Sequence, residues 1–179
     1  LTVLAETRGF NGMAPLHHAC RSLRKNIAIK LLEASPIVAS WPTFESSKPN
    51  SWTPLQCLVE QPYKTDKGFR ADFDELCACL LREMTKEAWF HQTGSKGSNF
   101  IHIMASRGMD DALEHILQLL CEHLQPVVLR DMLNTQNNDG LGTVDVAVTS
   151  IVALARNLKW YGGTEQQAPP APPSSPWNW

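Results

Sequence analysis

The chain has 179 residues, 43% hydrophobic and 19% charged. That balance excludes a disordered chain and allows one ordinary domain with a terminal segment. A formal net charge of −2, with Arg21, Arg24 and Lys25 read as a solvated helix face, supplies no basic stripe for nucleic acid. No run reaches the ~18 apolar residues that a membrane helix needs.

Five cysteines lie at positions 20, 57, 77, 79 and 121. An odd count in a chain large enough for its own core points to reduced thiols and an intracellular, cytoplasmic setting. The chain opens at Leu1 without a methionine and is compatible with a piece of a longer protein, so the lack of a targeting segment carries no weight.

In chain order, the first element is announced by GMAPLHHA (12–19). Its histidine pair and Cys20 are all zinc-ligand types, so the stretch by itself is ambiguous between a site and a scaffold. The same pattern returns as SWTPLQCL (51–58), GSNFIHIM (97–104) and, more weakly, GLGTVDVA (140–147). The equivalent apolar residues Leu16, Leu55, Ile101 and Val144 are 39, 46 and 43 residues apart. Proline at a first helical position costs little, because that amide has no intrahelical partner. Thr53 before Pro54 can cap its helix.

A second helix follows each of the first three copies. KNIAIKLLEASP (25–36) carries Ile27, Leu31 and Leu32 at helical spacing and stops at Pro36. After an insertion at 61–68, the stripe Phe69, Phe73, Leu76, Leu80 and Met84 marks the next. Leu113, Ile116, Leu117 and Leu120 mark the third, with Gly108 at the turn before it. The fourth copy shows a long first helix, 145–160, and no second one.

These windows resemble the ankyrin repeat, whose signature is G-x-T-P-L-H-x-A, although the spacings exceed the ~33 residues usual for it. A generic helix-pair solenoid is the alternative. The resemblance implies an all-α, helix-turn-helix solenoid over residues 1–160, with units at 9–36, 48–85, 94–124 and 137–160. A Pro-rich C-terminal tail, 161–179, follows. It also implies that the histidine slot, held by His17, Gln56, His102 and Asp145, makes hydrogen bonds rather than chemistry, with Gln56 departing from the usual type. His18, Cys57, Ile103 and Val146 then share a packing position. Cys77-x-Cys79 lacks the spacing of a metal or redox pair, and His115, Cys121 and His123 span the end of a helix, where a metal site would be a chance one. No glycine loop and no carboxylate pair stands out. No metal, cofactor or catalytic residue is therefore expected.

The resemblance further implies a protein partner bound by the concave face and the β-turn tips. The residue after the repeat's glycine, or its counterpart, points to that groove: Met13, Trp52, Ser98 and Leu141. The first helices add Arg21 and Ser22, Glu60 and Gln61, Ser106 and Arg107, and then Thr149 and Ser150. Trp and Arg dominate interface energetics, while the plainer reading of Trp52 is packing against the insertion at 40–50. The tail, GGTEQQAPPAPPSSPWNW, reads as a flexible linker. Alternatively Trp177 and Trp179 dock onto the open end of the stack, or a proline-recognising domain reads PPAPP. The expected role is an adaptor or scaffold. The competing roles are a substrate-recruiting fragment of an enzyme and a structural subunit.

Overall fold

The structure, a computed structural model, describes residues 2–9, 11–43, 51–62, 64 and 66–149. The helices in chain order are α1 (Thr2–Ala5), α2 (Pro15–Arg21), α3 (Lys25–Ala34), α4 (Pro54–Val59), α5 (Lys67–Glu83), α6 (Lys86–Trp89), α7 (Phe100–Ser106), α8 (Asp110–His123) and α9 (Pro126–Asn134). A 3-10 turn spans Pro36–Ser40, and α10 runs over 143–149. Among the described residues the fold is all-helical, and its extended pairing is limited to one antiparallel bridge between Thr93 and Ser98.

Helices α2, α4 and α7 are too short to persist alone, since isolated helices below about 12 residues are marginal. Each is held at its start and along its inner face. A proline or an asparagine cap starts it: Pro15 and Pro54 occupy the first helical position, and Asn99 Oδ1 accepts the His102 amide at 3.0 Å. Thr53 Oγ1 likewise accepts the Gln56 amide, at 3.3 Å. Buried Leu16, Leu55, Leu58, Ile101 and Met104 then fix the inner faces. The longer partners α3, α5 and α8 carry Leu31 and Leu32, then Phe73, Leu76 and Leu80, then Ile116 and Leu120 into the same core.

The packing is regular. Helix α2 lies against α4, and α4 against α7; α3 lies against α5, and α5 against α8. Within each pair α2 meets α3, α4 meets α5 and α7 meets α8. Two layers of side-by-side helices result, with one core between them. Salt bridges stitch neighbours in the outer layer: Lys25 Nζ reaches Asp72 at 2.6 Å and Glu75 at 2.8 Å, and Arg70 reaches Asp111 at 2.5 Å.

The turn before α8 is made by Gly108 at φ +63°. The same position before α3 is Leu23, at φ +46°. A leucine in the left-handed region carries strain on the order of 1 kcal/mol. Its half-buried side chain, packed on the core, opposes that cost.

Several expectations are corrected. Ile27 is 56% exposed, because its side of the first helix pair borders an open hollow that it lines with Thr7, His18 and Arg24; Ala28 takes its place in the core. His18 is exposed for the same reason, whereas Cys57 at the equivalent position is covered by α2. Val144 is 71% exposed and is no counterpart of Leu16, because no second helix lies over α10 among the described residues. Part of the supposed insertion is helical, α5 starting at Lys67. The 3-10 turn, α6 and α9 had no sequence prediction; Pro126, which would stop a helix, instead opens α9 at its first position. The residues of the fourth unit beyond 149, and the tail with Trp177 and Trp179, lie outside the described residues.

Candidate functional site

The histidine slot is the third residue of each inner helix, and its side chain works in two directions. Backward, it bonds the start of its own helix. The Ala14 amide donates to His17 Nδ1 at 3.1 Å, the Thr53 amide to Gln56 Oε1 at 2.8 Å, and the Gly142 amide to Asp145 Oδ2 at 3.0 Å. Forward, it reaches the next unit's loop. With Nδ1 accepting, His17 carries its proton on Nε2, which lies 3.0 Å from the Trp41 carbonyl and 3.1 Å from that of Trp52. Gln56 Nε2 donates to the His91 carbonyl at 2.7 Å. Gln56 therefore differs from His17 in type but makes the same pair of bonds.

His102 has the same reach with a different fit. Its Nδ1 is 2.6 Å from Asn99 Oδ1 and its Nε2 is 3.2 Å from the Leu141 carbonyl. Two acceptors face one buried ring, so either neutral tautomer satisfies only one of them. Burial lowers the pKa of both histidines, that of His17 from 6.5 to about 4, against the pull of the carbonyls.

These bonds align the loops, and the loops together with the inner helices enclose two adjoining clefts. The first, about 480 Å³, is lined by Met13, Trp52, Arg21, Glu60 and Gln61, together with Asn11, Thr43 and Cys57. The second, about 360 Å³, is lined by Ser98, Leu141, Ser106, Arg107 and again Glu60, with Lys96, Ile103 and Asp139 among its other walls. Glu60 closes the boundary between them by pairing with Arg107 at 2.5 Å.

The described sequence-predicted groove residues other than Ser22 thus line one or the other of these clefts, with differences in exposure. Met13 is 8% exposed and forms a wall rather than a projecting anchor, because Gly12 turns its backbone inward at φ +73° and Asn11 Oδ1 holds its amide. Trp52 is half-buried, its carbonyl and amide both tied to Thr43. Ser22 is the C-terminal cap of α2 and lines neither cleft. Sequence reasoning missed Cys57 and Ile103 by assigning them to packing alone. Cys57, Glu60 and Gln61 share a face by helical spacing, as do Ile103, Ser106 and Arg107, and that spacing was available to find them.

Chemically, the clefts offer apolar walls, amides, hydroxyls and charges. Burial pushes the Cys57 thiol up to about 12 although Arg21 opposes it, so it is protonated at neutral pH. Cys20 and Cys77 are likewise raised by burial. Among the described residues no three His, Cys, Asp or Glu side chains converge as metal ligands, and no helix is long and apolar enough to cross a membrane. Compared with family models and with curated proteins, the chain finds no match in either.

Proposed function

We propose that this chain is a protein–protein interaction module, an adaptor or scaffold built as an ankyrin-like stack, whose partner lies in the paired clefts. The observation that carries this reading is the convergence of the turn residues Met13, Trp52, Ser98 and Leu141 with Arg21, Glu60, Gln61, Ser106 and Arg107 on two adjoining clefts that share Glu60. The cross-unit bonds of His17 and Gln56 support the ankyrin-like assignment, since they tie each helix start to the loop that follows it. A half-buried Trp beside an exposed Arg is the pairing of residue types that most often dominates binding energy.

The test is capture of partners on intact protein beside a Trp52→Ala variant and a chain ending at Thr164. Trp52→Ala should weaken binding of a captured partner by about 2 kcal/mol in titration calorimetry. A partner that tolerates Trp52→Ala but is lost with the truncation would move the function to the tail.

A further inference from the structure

We infer that the clefts accept an extended peptide segment that sets a carboxylate side chain against Arg21 and an apolar side chain against Met13 and Trp52. This rests on the interaction-module reading and adds the chemistry of the partner to it.

The charges in the clefts are unequally used. Glu60 is the carboxylate of the first cleft, and Arg107, reaching across from the end of α7, neutralises it. Arg21 lines the same cleft from the end of α2, is exposed, and pairs with no carboxylate among the described residues. Among the described residues the first cleft therefore carries one uncompensated positive charge beside an apolar wall. A guanidinium takes a carboxylate through two parallel hydrogen bonds, so the complementary group is an Asp or Glu side chain. A phosphorylated segment fits less well, because such motifs are read by clusters of arginines and Arg107 is already occupied. The chain's overall charge of −2 does not oppose this, since charges more than about 8 Å away are largely screened at physiological salt.

The length of the segment follows from the packing. The clefts run from Arg21 on α2, past α4 and α7, to Thr149 on α10. Three steps between adjacent helices at ~8–10 Å span roughly 24–30 Å, which about eight residues of extended chain cover at ~3.3 Å each. The Gln61 side chain stands in the first cleft with its amide available to that backbone.

The experiment is selection of a displayed random decapeptide library on the full chain, followed by anisotropy titration of synthesised winners against wild type, Arg21→Glu, Arg21→Lys and Trp52→Ala. Winners should share an Asp or Glu at a fixed spacing from an aliphatic or aromatic residue. Arg21→Glu should weaken them at least tenfold, Arg21→Lys should recover part of that loss, and reselection on Arg21→Glu should replace the acid by Lys or Arg. Winners that need Trp52 but carry no acid and ignore Arg21→Glu overturn this inference and leave the interaction module standing. A selection without winners, or winners indifferent to both sites, overturns both.

Discussion

His17 shows how one side chain couples a helix start, a neighbouring loop and pH. Its pKa of about 4 lies below the 6.5 of the unfolded chain. As pH falls between those values the unfolded state takes up a proton that the folded state refuses, so the stability present above pH 6.5 is progressively lost. The shift corresponds to about 2–3 kcal/mol by pH 4. His17→Gln should copy the bonds of Gln56, keep stability at pH 7 within about 1 kcal/mol, and shrink the loss between pH 7 and pH 4 by that share. Urea unfolding of both proteins across this range measures it; superimposed profiles would remove His17 from the account. Gly108 is a simpler case. No atom lies within 4 Å of a Cβ built there, yet φ is +63°. Gly108→Ala should therefore cost about 1 kcal/mol through the backbone alone, read as a shift in the urea midpoint.

At the scale of the element, helix α3 separates pattern from environment. Ile27, Leu31 and Leu32 all satisfy a helical stripe, but only the two leucines enter the core. Leu32→Ala should cost about 2–4 kcal/mol, whereas Ile27→Ala should change stability by less than about 0.5 kcal/mol. Equal effects would mean that Ile27 is covered in solution. The periodicity that predicts a helix reports which residues share a face. Which face is covered depends on the neighbours, and α1 and α5, which both pack on α3, leave Ile27 exposed. Helix α9, which had no sequence prediction, carries a stripe of Val128, Met132 and Leu133 with Pro126 at its first position.

For the whole molecule, the question is what the cleft surface contributes to folding as opposed to binding. The Glu60–Arg107 pair joins residues 47 apart, and both side chains remain partly exposed. A double-mutant cycle with Glu60→Gln and Arg107→Ala should give a coupling of no more than about 1 kcal/mol in stability. A larger value would make the pair a structural clamp. The cavity walls themselves stand on the cross-unit ladder from His17 and Gln56, so the clefts should keep their shape when their exposed charges are exchanged.

The sequence by itself determined local features: where Pro15 and Pro54 start inner helices, where Gly108 turns, and which residue of each helix carries the bonding slot. Those signals act within one or two turns of the chain, so local spacing is enough to read them. The tertiary structure alone decided that Gln56 does the work of His17, that Ile27 and Val144 are exposed, and that Arg107 takes Glu60 and leaves Arg21 unmatched. Each of these depends on side chains 35 or more residues apart, or on whether a neighbouring helix lies over a face. Such relations are fixed by how the helix pairs stack, and no local pattern records them.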